Sequence, residues 1–173
     1  MSRIKKRFAE LKKEGRKAFI AYIMAGDPDL ERTRGNVLLL ERCGTDIIEL
    51  GVPFSDPVAD GPTIQHAAER ALKAGVTLTK VIGLVKELRE KTRIPIVLMT
   101  YYNPVLRYGL ERFVADAVHA GVDGVIIPDL PPEEAQELTM ASKAKGLDTI
   151  FLIAPTSTGK RIEKITRACT GFV

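Results

Sequence analysis

The sequence predicts an α/β fold in which parallel strands are joined by helical crossovers. Three observations support it. Short apolar runs alternate with longer segments of helical periodicity. A local grammar recurs in Gly44-Thr45-Asp46-Ile47-Ile48, Gly121-Val122-Asp123-Gly124-Val125 and Gly146-Leu147-Asp148-Thr149-Ile150: a glycine ends a helix, and two residues later an Asp opens an apolar strand. The far ends of the strands share a third feature, prolines and polar groups, where parallel α/β proteins collect their ligands.

The N-terminal segment opens on Ile4, Phe8 and Leu11, an apolar stripe at helical spacing with lysines opposite. Residues 1–17 carry a net charge of +6, whereas the whole chain of 173 residues carries +4. The basicity is therefore local. The segment lacks interleaved aromatics and glycines, which favours an amphipathic helix with a solvated basic face over a nucleic-acid arm. Strands follow at Phe19–Met24, Asp46–Leu50, Ile94–Met99, Gly124–Ile127 and Thr149–Ile153. Helical patterns lie at Leu30–Arg42, Thr63–Lys73, Leu78–Lys91, Leu110–His119, Pro132–Lys145 and Lys160–Ala168. The carboxyl ends of the strands read Ala25-Gly26-Asp27-Pro28, Gly51-Val52-Pro53, Tyr102-Asn103-Pro104, Pro128-Asp129-Leu130-Pro131 and Ala154-Pro155. Two architectures fit this order: an open doubly wound sheet and a (β/α)₈ barrel. The first lacks its glycine-rich phosphate turn after strand one.

Composition narrows the class. An apolar content of 45% and a charged content of 28% suit a globular domain. No apolar run approaches the roughly 20 residues of a membrane span, and no secretion signal stands at the N-terminus. A cytoplasmic location is expected. Cys43 and Cys169 have no metal or redox spacing and read as small core residues. His66 and His119 read as helix-surface residues. No metal site and no Ser-His-Asp arrangement is expected.

The stretch from Glu49 to Thr63 is the most informative. It holds Glu49, Asp56 and Asp60 together with three prolines and two glycines. Ordinary connections are about 4–6 residues long, so a longer, stiffened, acid-bearing loop is more often a site than a spacer. Glu49 stands among Ile47, Ile48 and Leu50 on an otherwise apolar strand, where an ionisable group is costly without a role or a partner.

The stretch from Glu49 to Gln65, with Ala21–Pro28, Met99–Pro104 and Ile127–Pro131, closely resembles the signature of the tryptophan synthase alpha chain family. The resemblance covers nearly the whole chain. It implies a (β/α)₈ TIM barrel and cleavage of indole-3-glycerol phosphate to indole and glyceraldehyde 3-phosphate. It also implies a β-subunit partner in an α2β2 assembly, with pyridoxal phosphate in that partner and no cofactor in this chain. At the matching positions it makes Glu49 and Asp60 catalytic and has Tyr22, Thr100 and Asp129 line the mouth. Asp56, before Pro57, is expected to shape a turn or, with Pro57, to face the partner; Tyr101, Tyr102 and Asn103 are expected to pack beside the loop or to face the partner.

A barrel of this type needs eight βα units and about 250 residues. The expectation is therefore one partial-barrel domain over 1–173, of about five βα units plus an N-terminal helix, reaching the opening of strand six at Gly171-Phe172-Val173. Such a chain is expected to be weakly active or inactive alone and to associate through open sheet edges. The alternatives are a non-catalytic half-barrel folding unit or another phosphate-handling barrel enzyme.

Overall fold

The amphipathic stripe at the N-terminus folds as expected. In the computed structural model, which describes residues 2–173, helix α1 (Arg3–Lys13) is capped by Ser2, whose Oγ accepts the Lys5 N–H at 3.3 Å. Ile4 and Leu11 are fully buried. The chain continues through β1 (Ile20–Met24), α2 (Leu30–Arg42), β2 (Ile47–Gly51), α3 (Pro62–Lys73), α4 (Leu78–Leu88), β3 (Ile96–Met99), α5 (Tyr102–Tyr108), α6 (Leu110–Ala120), β4 (Gly124–Ile126), α7 (Gln136–Lys145), β5 (Asp148–Ile150) and α8 (Gly159–Ala168).

All five strands are parallel, and their order in the sheet is their order in the chain. A doubly wound sheet reverses direction at a switch point; sequential order without reversal is the path of a barrel wall. Side chains confirm which face is which. Ile48, Leu50, Ile96, Leu98 and Val125 belong to the large apolar cluster that includes the helices. Their strand neighbours Ile47, Val97, Ile126 and Ile150 form a second cluster with Ile4 of α1. Alternation along a strand requires this division. The outer face packs under the helices; the inner face is covered by α1 at its lower end.

The Gly-x-Asp grammar has a structural basis. Gly44, Gly121 and Gly146 take φ of 94°, 92° and 78°, a conformation that only glycine adopts freely after a helix. Two of the three aspartates then become anchors. Asp46 accepts the Phe19 N–H at 2.7 Å and pairs with Arg7 and Arg16. Asp123 accepts the Ile96 N–H at 2.9 Å and pairs with Arg3 and Arg89, each at 2.7 Å. Helix α1 thus ties down two strand starts through Arg3 and Arg7. The third copy is out of phase: Asp148 lies in register with Gly124 rather than Asp123, and its buried Oδ2 has no hydrogen-bond partner among the described residues.

Several local expectations are revised. Strand β3 begins two residues later than expected because Pro95 has no N–H to donate. Strand β5 ends at Ile150, and the Phe151 N–H turns instead to the Cys169 sulfur at 3.3 Å. Helix α7 starts at Gln136, after the turn that follows Pro131 and Pro132. Helix α5 was not foreseen; Pro104 sits in its first turn, where proline is tolerated. Neither cysteine is a fully buried core residue. Cys43 is exposed at the C-cap of α2, and Cys169 is half-buried. His66 and His119 are exposed, as expected. No helix among the described residues is long and apolar enough to cross a membrane.

Candidate active site

Strand alternation decides where Glu49 points. Its neighbours Ile48 and Leu50 face the helices, so Glu49 shares the inner face with Ile47. In register it stands between Tyr22 of β1 and Val97 of β3. The side chain is half-buried, and burial alone pushes its carboxyl above the usual glutamate range. No neighbouring cation offsets that effect.

Tyr22 packs beside it. Gly51 makes this possible: a Cβ there would sit 2.1 Å from the Tyr22 hydroxyl oxygen. Burial raises the Tyr22 phenol well above its ordinary range, and the negative charge of Asp60, the Tyr101 phenol and Glu49 add to the shift. Tyr22 therefore feels both carboxylates. It marks the gap between the strand-borne acid and the loop-borne one.

Asp60 is carried by the connection from β2 to α3. The connection leaves the sheet with the Val52 N–H bonded to the Met99 carbonyl at 2.8 Å. The Phe54 ring then packs against the Tyr101 ring at 5.4 Å between centroids. The Ala59 N–H donates to the Tyr101 hydroxyl at 3.0 Å. Gln65 reaches back from α3 to the Asp60 carbonyl at 2.8 Å. Pro62 begins α3 at its first position, where a missing N–H costs nothing. The backbone on either side of the half-buried Asp60 is thus held, by a strand-end tyrosine at Ala59 and by α3 at the Asp60 carbonyl.

The remaining sequence-selected residues divide. Thr100 is buried, and its hydroxyl donates to the Tyr101 carbonyl at 3.3 Å. Asp129 is exposed and uses both carboxyl oxygens on the Tyr102 N–H, at 2.9 and 3.2 Å, capping α5 from 27 residues away. Asp56 is exposed and accepts the Ser55 hydroxyl; Pro57 beside it is half-buried. Both line a shallow hollow of about 240 Å³ with Phe54, Gln65 and Glu69. Asn103 is exposed on α5. Tyr101 packs beside the acid-bearing loop, one of the two placements its sequence position allows. No local sequence signal marks the ion pair of Asp27 with Arg70, at 2.7 and 2.8 Å, which ties the β1–α2 turn to α3.

A wall of parallel strands in sequential order, with one carboxylate on its inner face and another on the loop that follows β2, defines the class: an α/β-barrel chain. The family model described as tryptophan synthase alpha chain matches residues 8–173. The chain belongs to the tryptophan synthase alpha chain family. It is 60% identical over 173 residues to the tryptophan synthase alpha chain of Geotalea uraniireducens, covering 100% of this chain and 65% of that protein. With the alpha chain of Geobacter sulfurreducens it shares 58% identity, covering 66% of that protein. The crystal structure of tryptophan synthase subunit alpha from Legionella pneumophila superposes with a TM-score of 0.96 at 41% identity, covering 100% of this chain and 68% of that one. In the tryptophan synthase complex from Pyrococcus furiosus the TM-score is 0.87 at 46% identity, covering 90% and 64%. The chain thus spans about 65% of the length of the curated relative named first.

Proposed function

We propose that this chain carries the acid–base half of a lyase site that cleaves indole-3-glycerol phosphate to indole and glyceraldehyde 3-phosphate. The observation that carries the reading is the placement of Glu49 on the inner face, half-buried and without a cation, beside a tyrosine that also feels Asp60. In the reaction, protonated Glu49 delivers its proton to indole C3. The ring becomes an iminium, and Asp60 accepts the ring N–H and stabilises the positive charge. The glycerol hydroxyl next to the ring then loses its proton, which Glu49 takes back. The C3–carbon bond breaks, its electron pair restores the indole, and the carbon that carried the hydroxyl becomes the aldehyde. Protons balance over the cycle.

Tyr22 and Thr100 line the mouth in this reading. Asp129 contributes by fixing the start of α5. The partner is a tryptophan synthase β subunit in an α2β2 enzyme, which would meet the exposed Asp56, Asn103 and the neighbouring Pro57. Pyridoxal phosphate belongs to that partner, and this chain uses no cofactor. The setting is the cytoplasm.

The test is indole release from indole-3-glycerol phosphate. It is measured for the chain alone and for the chain supplemented with the remaining segment of the Geotalea uraniireducens relative. Indole release by the supplemented, folded assembly is expected. No release from an assembly that binds and folds would remove the lyase reading.

A further inference from the structure

We propose that Tyr101 is a positioning residue for the acid-bearing loop: its phenol fixes the backbone at Ala59, the residue before Asp60, and so sets where Asp60 stands. The proposal deepens the reading above and rests on Asp60 taking part in the reaction. It starts from a geometric fact. Between Val52, which is bonded to β3, and Gly61, which opens α3, the loop needs tethers to hold one shape. Two contacts tie it to the chain just beyond β3. One is the hydrogen bond from the Ala59 N–H to the Tyr101 hydroxyl, at 3.0 Å. The other is the packing of Phe54 on the Tyr101 ring. Both converge on one side chain, which lies 42 residues from Ala59 in sequence.

Tyr101 is itself firmly held. It is only 4% exposed. Thr100 donates to its carbonyl, and Asp129 takes the N–H of the next residue. With its oxygen already accepting the Ala59 N–H, the phenol keeps one proton to give. Burial above all, with the nearby charge of Asp60, raises the phenol above its ordinary range, so the hydroxyl stays protonated. A loop held in place costs no reorganisation when charge develops on the ring.

Tyr101→Phe keeps the ring on Phe54 and removes only the hydroxyl. Amide hydrogen exchange on the chain itself reads the effect without any turnover. The Ala59 amide is expected to exchange about tenfold faster or more, with the Leu50 and Leu98 amides unchanged. An unchanged Ala59 rate overturns the proposal; so does general loosening that includes Leu50 and Leu98. In the assembly that releases indole, Tyr101→Phe is expected to lower kcat about tenfold while KM stays within about twofold. Added to Asp60→Asn it should cause no further loss, because both remove the same orientation. A fully additive loss overturns the proposal. If the unmodified assembly releases no indole, the lyase reading fails, and the exchange experiment alone still decides whether Tyr101 sets the loop.

Discussion

The two ends of the same sheet use carboxylates in opposite ways. At the amino ends, Asp46 and Asp123 are buried and surrounded by donors: a backbone N–H and two arginines each. Farther along, Glu49 at the middle of β2 is half-buried with no cation beside it among the described residues, and Asp60 rides on the following loop beside a buried phenol. A paired carboxylate stays ionised and holds the fold. An unpaired one in a poorly solvated place keeps its proton longer and can pass it on. The lesson is that the partner, more than burial alone, separates a structural acid from a reactive one. Asp46 shows it directly: burial works to raise its carboxyl, yet the Phe19 N–H and Arg7, with Arg16, outweigh burial and hold it below the usual aspartate range.

The sharpest way to break this contrast is Glu49→Gln in the indole-releasing assembly. It keeps shape and removes the proton relay, so activity should fall about 10²- to 10⁴-fold. Retained full activity would take Glu49 out of the chemistry. Next in size is Asp123→Ala at the opposite end. It strands Arg89, which is nine-tenths buried, and should lower the unfolding free energy by about 3–5 kcal/mol in urea titration. A change below about 1 kcal/mol would show that the anchor is ornamental. The counterpart in the mouth is Asp60→Asn, whose stability should stay within about 0.5 kcal/mol of the parent while activity drops.

Two pH experiments refine the comparison at smaller amplitude. The folded-state value of Asp46 is depressed, so its stabilisation is fully present above the ordinary aspartate value of 3.8 and is lost as pH falls through the folded value. Asp46→Asn should therefore flatten the acid limb of the stability profile as well as lower stability at pH 7. Glu49 has the opposite sign. Its folded value is raised, so its favourable contribution is complete below the ordinary glutamate value of 4.5 and disappears as pH rises through the folded value. Glu49→Gln should raise Tm at pH 8 by a few degrees and leave it nearly unchanged at pH 4. Equal shifts at both pH values would contradict a desolvated carboxylate.

Much of this was legible in the chain. Alternating apolar runs and the glycine–aspartate grammar were enough to place five parallel strands, and the proline-rich acid loop stood out from its composition. The inward direction of Glu49 needed the register, because a half-buried strand position reads the same from either face. Tyr101 lies far from Ala59 in sequence, and no local pattern encodes that pairing. The repeat also concealed a difference. Asp46, Asp123 and Asp148 look equivalent as text, yet Asp148 falls one residue out of phase, and its Oδ2 finds no partner among the described residues. The short helix over Tyr102–Tyr108 was hidden by Asn103-Pro104, which reads as a turn until Asp129 is seen to cap it. Cys43 reads as a core residue by type, but its place at a helix end beside Gly44 turns it to solvent.

The most direct measurement is the titration of the Glu49 carboxyl by carbon-13 NMR on selectively labelled chain, with Glu49→Gln used to assign the signal. The account predicts a midpoint clearly above the ordinary glutamate value of 4.5. A midpoint at or below that value would mean that a cation or open water stabilises the charge, and the acid at the mouth of the sheet would lose its proposed role.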